Sequence, residues 1–349
     1  MRPSIKIILL ASLTPLSVLA TTLPTFPPGA VWNQDISHAP LHDDSTEIVG
    51  WLDGVGGWGT GATHFQIDFS MVVLHADASA PTAPVVAYPP GHYYSPDCED
   101  PGLAFPLPAG GAIEGSTNYQ CNNAGNDCHL LVVQGSTLFE AYRANRTANG
   151  LQSQCAVRWR LDRVYPDSGR GQQCTSVDAA GFPVAPLLFN ADEVFAAIQA
   201  QGDIGHAIRF ILPNERMRAS QYVYPATHAG GPESDDAYSP PYGSRLRLNG
   251  GFDIDAFSSN EGVRVILRTL KKYGMVLADG GDVPLTAEAD TFTTHKWDEA
   301  AIDMDSHALF GIRTTDFEVL ATPPPIPLTF HCVRNPEPDG DEIFANGFD

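Results

Sequence analysis

The stretch that decides the fold is GNDCHLLVVQGSTLFEAY, residues 125–142, which has the pattern of a β-hairpin. Gly135-Ser136 forms a two-residue turn of the Gly-X type, and such turns favour type II′ hairpins. The turn sets the register, so that His129 is predicted to face Tyr142 across the two strands. Because cross-strand partners share a face of the sheet, His129, Glu140 and Tyr142 are expected on one face, and the opposite face is apolar.

The grouping of a histidine, a glutamate and a tyrosine suggests chemistry. A carboxylate beside an imidazole can hold its tautomer and raise its pKa, which suits proton transfer. We therefore predict that His129, Glu140 and Tyr142 line a substrate groove. The alternative is an ordinary solvated face of an antiparallel sheet, and a register slip of one residue would separate the three side chains.

Most other segments also alternate like strands, for example AVRWRLDRV at residues 156–164. Two helices are predicted. Asn190 can cap the first, ADEVFAAIQAQ, and the second, NEGVRVILRTLKKYG at residues 260–274, ends on Gly274. The sequence predicts a mainly β fold, with a β-sandwich or barrel-like core that two or so helices decorate.

The N-terminal residues have the features of an export signal. Arg2 and Lys6 precede an apolar stretch that Pro15 interrupts, and a small-residue cleavage pattern ends at Ala20. Residues 1–20 are therefore predicted to be a signal peptide rather than a membrane anchor, and the protein to be secreted or periplasmic. No later segment has 18 unbroken apolar residues, so no membrane span is expected.

The remaining chain divides by composition. Residues 21–321 are predicted to form a single β-rich globular domain, and residues 322–349 a Pro-rich spacer and acidic tail. The formal net charge is −21, and it becomes −23 once the two cations of the leader are removed. This charge argues against nucleic acid as a partner and disfavours anionic polymers, unless a local basic groove overrides the global field.

Six cysteines follow the predicted leader, which suggests three disulfides in an oxidising compartment. Proximity along the chain favours the pairs Cys121–Cys128 and Cys155–Cys174, which leaves Cys98 with Cys332. The chain has no CxxC, HExxH or full-length EF-hand loop, and no dinucleotide or phosphate-loop motif. We therefore predict neither a metal nor a cofactor.

Four further side chains are candidates for substrate binding, each with a structural alternative. Arg245 and Arg247 in RLRL point to one face and could clamp a carboxylate, or could belong to a solvated strand face. Arg209 points away from its apolar neighbours and could reach the groove. His228 follows a Pro-Ala-Thr turn at a strand end, where a site or a loop hydrogen bond is equally consistent with the sequence.

Two other parts of the sequence also have both a functional and a structural interpretation. Asp178, in TSVDAAGFP, is a candidate general acid or base, or a cap of a local turn. Trp51 and Trp58 lie in the Gly-rich stretch of residues 50–65 and could form a platform for sugar rings, or pack over the end of a sheet.

From residue 127 to about 280, the motif order resembles a group of secreted, largely uncharacterised bacterial proteins. The residues that carry this resemblance are DCHLLVV, LFEAY, TSVDAAGFPVAP, HAIRF, YVYPATH, PPYGSRLRL and LKKYGMVLAD. The resemblance covers a little under half of the chain and implies no particular activity. Gln134 stands where the pattern often has an acid, so no catalytic role is expected there. The ending IFANGFD resembles a tail of exported gammaproteobacterial proteins, which implies a role in export or surface handling.

Three functions are consistent with these patterns. The first is an extracellular carbohydrate-active enzyme that binds a polysaccharide or oligosaccharide. As a glycoside hydrolase it would use Glu140 with Asp178, and as a polysaccharide lyase it would use His129 or Tyr142 with the RLRL arginines. The second is a glycan-binding protein that uses the two tryptophans, and the third is a structural envelope protein. The negative charge favours neutral sugars.

Overall fold

The computed structural model of this protein describes residues 22–88, 91–123 and 125–336. The predicted signal peptide and residues 337–349 of the predicted tail lie outside the described residues. Strands make up 26% of the structure and helices 15%, so the predicted mainly β class is confirmed. The described helices are α1 (Ser45–Gly54), α2 (Ala191–Gln199), α3 (Ile254–Phe257) and α4 (Glu261–Lys272).

The described strands form three larger sheets and two strand pairs. In chain order the strands are β1 (Ile67–Met71), β2 (Val73–Ala76), β3 (Thr82–Ala87), β4 (Ala104–Pro106), β5 (His129–Gln134), β6 (Thr137–Tyr142), β7 (Asn145–Thr147), β8 (Gly150–Ser153), β9 (Cys155–Arg160), β10 (Gly171–Gln172), β11 (Ile208–Leu212), β12 (Gln221–Tyr222), β13 (Arg245–Leu248), β14 (Met275–Gly280), β15 (Leu285–Glu288), β16 (Phe317–Val319), β17 (Ile326–Pro327) and β18 (Val333–Arg334).

The largest sheet has six strands in the order β1-β15-β11-β14-β13-β16. Helices α2 and α4 pack on one face of it, where Ile67, Phe210 and Leu285 join the apolar side of α4 in one core. Both helices begin as predicted, because the side chain of Asn190 accepts from Glu193 N and that of Asn260 accepts from Val263 N. Each described sheet has two edge strands, so none of them closes into a barrel.

The hairpin forms with the predicted register: His129 pairs with Tyr142, Leu131 with Glu140 and Gln134 with Thr137. Its strands are the middle strands of a four-stranded sheet, β2-β5-β6-β9. Neither face is the open, solvated face of the alternative interpretation. Leu130 and the residues on its side lie in one core, and Leu131 and Leu138 lie in a second core on the other side.

The disulfide pairing differs from the prediction at two of the three bonds. Cys121–Cys128 is confirmed, but Cys155 bonds to Cys98 and Cys174 to Cys332. The reason for the first difference is that residues 94–99 run alongside the start of β9, with Glu99 N donating to Ala156 O. For the second, β10 pairs with β18, which brings Cys332 beside Cys174 with 4.4 Å between the Cα atoms.

The Pro-rich segment after residue 321 lies along the domain. Strand β17 pairs with β12, and β18 pairs with β10. The Cys174–Cys332 bond and these two strand pairs attach the segment to the middle of the chain.

Candidate functional site

A row of polar side chains lies on the face of the six-stranded sheet away from the helices. Asp68 on β1 is the register partner of Thr286 on β15, and Arg209 on β11 donates to Thr286 Oγ1 at 2.9 Å. Alternation along these strands explains the placement, because their neighbours Ile67, Phe210 and Leu285 point into the core under the helices.

Arg209 and Asp178 form an ion pair at the centre of this face. The guanidinium donates from Nε and Nη2 to Asp178 Oδ2, at 3.0 and 2.8 Å, and both side chains are almost completely buried. Burial raises the pKa of Asp178 to about 7, although the Arg209 cation opposes this shift. Asp178 Oδ1 also accepts from Ala180 N, so this carboxylate holds the loop around residue 180 against the sheet.

Asp279, which is in β14 near its end, brings a second carboxylate to the same cation. Its Oδ2 lies 3.8 Å from Arg209 Nη2 and accepts from Ala179 N at 3.3 Å. Unlike Asp178, its side chain is 30% exposed. Burial raises the pKa of Asp279, and Arg209 opposes the shift. Asp279 is therefore a solvent-accessible carboxyl group that holds a proton more readily than an ordinary aspartate.

His129 lies beside this pair as a cation. Its Nδ1 is 2.8 Å from Glu114 Oε2, and its Nε2 is 3.1 Å from the carbonyl oxygen of Val177. A carboxylate and a carbonyl oxygen can only accept, so both ring nitrogens carry a proton. Burial lowers the pKa of His129, but the Glu114 carboxylate raises it by a larger amount, so the pKa is about 9. Because neither nitrogen is free to take a proton, His129 does not have the geometry of a general base.

Two tyrosines and an aspartate lie at the edge of this cluster. The rings of His129 and Tyr142 are 5.3 Å apart, and the negative charge of Asp127 acts on the Tyr142 phenol. Tyr94 is 39% exposed. Burial raises the pKa of both phenols, and the carboxylates of Asp127 and Asp279 raise both further. The two carboxylates therefore act on the same pair of tyrosines.

We call Glu114, His129, Asp178, Arg209 and Asp279 the acid centre, and Tyr94, Asp127 and Tyr142 its rim. The structure brings together four residues predicted from the sequence, namely His129, Tyr142, Asp178 and Arg209. Sequence reasoning missed Glu114 and Asp279. Asp279 ends the LKKYGMVLAD motif and lies in a strand parallel to β11, near the end where ligands often bind in parallel sheets. No comparable signal marks Glu114.

Glu140 shares a hairpin face with His129, as predicted, but it has no access to solvent. Its Oε1 accepts from the backbone N–H groups of Val184 and Ala185, at 2.8 and 2.9 Å. Its Oε2 accepts from Trp159 Nε1 at 2.9 Å. The predicted hydrolase pair of Glu140 with Asp178 is therefore corrected: both carboxylates are fully buried and hold loops against the sheet, so a polysaccharide cannot reach them.

The predicted substrate clamp of Arg245 and Arg247 is also buried. Arg245 donates to the carbonyl oxygens of Tyr273 and Val31, and Arg247 binds Glu318 and the carbonyl oxygen of Ile36. Both arginines hold the segment at residues 31–39 against the sheet, which is neither of the two roles predicted for them.

His228 and the two tryptophans also have mainly structural surroundings. His228 is 8% exposed, and its Nδ1 lies 2.9 Å from the carbonyl oxygen of Ala179, directly behind the acid centre. Trp58 is fully buried and donates to Ile312 O, while Trp51 lies in α1 and packs partly against the main core. The predicted exposed platform is therefore wrong for Trp58, which packs under the sheet end instead.

Comparison with protein-family models, with curated proteins and with solved structures finds no match for this chain. Among the described residues, no three His, Cys, Asp or Glu side chains are placed to hold a metal ion. None of the helices in the described ranges has the length and apolar character that a bilayer span requires.

Proposed function

We propose that the protein is an exported carbohydrate-active enzyme of the glycoside hydrolase type, with Asp279 as the proton donor. Glycoside hydrolysis uses one carboxyl group that is protonated and a second that is ionised. Asp279 is the candidate for the first role, because burial raises its pKa while its side chain remains 30% exposed. This accessible, protonatable carboxyl group is the observation that carries the proposal.

Asp127 is the best candidate for the second carboxylate. It is exposed, and it acts on the same two tyrosines as Asp279 does. In this arrangement Asp279 donates its proton to the glycosidic oxygen, and Asp127 stabilises or activates the water molecule that attacks the sugar. The faces of Tyr94 and Tyr142 supply the apolar, amphipathic surface on which a sugar ring can pack.

A lyase reaction fits these residues less well. A lyase needs a base that removes a proton next to a uronate and a cation that neutralises the uronate carboxylate. Both nitrogens of His129 are occupied, Arg209 is shared between Asp178 and Asp279, and the RLRL arginines are buried. The surroundings of the acid centre therefore favour hydrolysis of a neutral sugar linkage.

Export is part of the proposal. Three disulfides are typical of proteins that fold in an oxidising compartment. Together with the signal peptide predicted for residues 1–20, they support a secreted or periplasmic location, where polysaccharides are available as substrates.

The test is a panel of neutral and acidic polysaccharides with two parallel readouts. Hydrolysis releases reducing ends alone, whereas a lyase also produces an unsaturated sugar that absorbs ultraviolet light. We expect reducing ends without the absorbance, and on neutral polymers. Absorbing products would contradict the hydrolase assignment, and a panel with neither cleavage nor binding would contradict the carbohydrate proposal as a whole.

The exposure of Tyr94 also favours a second candidate, a glycan-binding protein without turnover. Such a protein would bind members of the panel and release no product. Tyr94→Ala would then weaken binding, while Asp279→Asn, which removes the acid but keeps the side-chain shape, would leave binding nearly unchanged.

A further inference from the structure

A second concave surface lies on the other side of the loop that carries Asp178. It consists of three cavities of about 40, 140 and 600 Å³, all of which are lined by Pro166. Tyr165 lines the first two cavities, and Tyr224 lines the first and third. We call this surface the arginine–aromatic cleft. None of the three cavities is lined by a residue of the acid centre or its rim.

The intermediate cavity is basic, although the whole chain carries a net charge of −21. Three arginines line it, Arg163, Arg170 and Arg334. Glu99 accepts from Arg170 at 3.0 Å and from Arg334 at 2.9 Å, so one carboxylate faces two of these cations. Asp167 lines the wide cavity and brings a second carboxylate to the cleft, so three arginines against two carboxylates leave a small excess of positive charge in a protein that is otherwise strongly acidic.

Arg163 carries this excess most directly. Within the described residues its guanidinium makes no hydrogen bond or ion pair, and it lies over the Tyr165 ring, 4.4 Å from the ring centre. Arg170 is only 6% exposed, and its Nε has no hydrogen-bond partner among the residues described. The Nη groups of Arg170 donate to Asp97 O and Glu99, so Arg170 contributes positive charge to the cavity wall while Arg163 is the arginine that can bind a ligand.

The neighbouring cavities are aromatic and polar. The narrow cavity is enclosed by Phe26, Trp32, Trp159 and Tyr165, with Trp159 and Tyr165 packed edge to face at 5.0 Å. Its volume of about 40 Å³ admits a small group such as a hydroxymethyl, not a whole ring. The wide cavity combines the ring of Tyr224 with polar groups, among them Ser168 and Gln172.

We propose that the arginine–aromatic cleft binds an acidic saccharide, with its oxyanion on Arg163 and its ring over Tyr224. The oxyanion is a uronate carboxylate or a sulfate ester, because the planar donor fork of arginine binds both geometries. The polar and aromatic lining of the wide cavity matches the hydroxyl groups and apolar faces of a sugar ring. This binding site is separate from the acid centre and does not depend on the protein being a hydrolase.

The test is a binding titration of the full chain, followed by tryptophan fluorescence, since Trp32 and Trp159 line the narrow cavity. Three probes are compared: a galacturonic acid trimer, the neutral galactose trimer and a sulfated galactose trimer. The key variant is Arg163→Gln, which breaks no described hydrogen bond and should fold normally. Arg146→Gln on β7 is the control, because it removes the same charge from a strand that lines none of the three cavities.

We expect at least one acidic trimer to bind more tightly than the neutral trimer, and added salt to weaken that binding. Arg163→Gln should weaken it about tenfold, the usual effect of losing a hydrogen bond to a charged group, and Arg146→Gln should change it little. The two acidic probes show whether the anion is a carboxylate or a sulfate. Equal binding of acidic and neutral trimers, or equal losses in the two variants, would overturn the proposal.

Discussion

Replacing Arg209 by methionine tests whether the acid centre rests on a buried ion pair. Methionine keeps much of the side-chain volume but leaves Asp178 without its cation. The side chains of Arg209 and Asp178 are both almost completely buried, so water cannot replace the lost partner. Breaking a buried pair in this way costs about 3–5 kcal/mol. Chemical denaturation at pH 8 should show a loss of this size in the free energy of unfolding, because without Arg209 the buried Asp178 must either remain an unpaired carboxylate or take up a proton.

Two comparisons make the result specific. Arg313 also donates from Nε and Nη2 to a single aspartate, Asp53, at 3.0 and 2.7 Å, but it is 43% exposed, so Arg313→Met should cost far less. Adding Asp178→Asn to Arg209→Met removes the stranded charge, so the double variant should lose less than the sum of the two single losses. Equal losses for the two arginines, or strictly additive single losses, would refute the reasoning.

Two further predictions concern His129 and the disulfides. By NMR, the His129 ring should be protonated on both nitrogens at pH 8 and titrate near pH 9. Glu114→Gln should move the midpoint of this titration below the ordinary value of 6.5, because burial then dominates the pKa. A midpoint near 6.5 in both proteins would contradict the ion pair. The stability from this pair is complete between pH 4.5, the ordinary pKa value of Glu114, and pH 6.5, and it is lost as the pH rises through 9, which thermal unfolding can follow. Replacing Cys174 and Cys332 by alanine removes a bond that spans 158 residues and should lower the free energy of unfolding by roughly 5 kcal/mol. Removing Cys121–Cys128, which spans 7 residues, should lower it by roughly 2 kcal/mol. Equal losses would mean that loop closure does not govern how much each bond stabilises the fold.

The parts of the fold that short-range rules determine could be predicted from the sequence. The Gly135-Ser136 turn sets the hairpin register, since the register depends on the two turn residues alone. Asn190 and Asn260 start their helices for an equally local reason, because each side chain accepts a backbone N–H three residues later.

The parts that failed depend on long-range packing. Cys174 bonds to Cys332 because β10 pairs with β18. These two strands are about as far apart in the sequence as the two cysteines, so no local pattern predicts their contact. The period of the hairpin indicates two faces, but it does not show that a second core covers the polar one. Glu140 is therefore a buried anchor, and the accessible carboxyl group of the site is Asp279, from a strand more than a hundred residues further along the chain.

The most direct test of the central claim is the rate of polysaccharide cleavage by Asp279→Asn, measured beside Asp282→Asn. Asp282 lies exposed in the next turn, so the control makes the same chemical change without touching the acid centre. On a polymer that the unaltered protein cleaves, we predict that Asp279→Asn lowers kcat at least about 100-fold, as expected for loss of a general acid, and that Asp282→Asn retains full activity. Undiminished cleavage by Asp279→Asn would show that this carboxyl group does not carry the reaction.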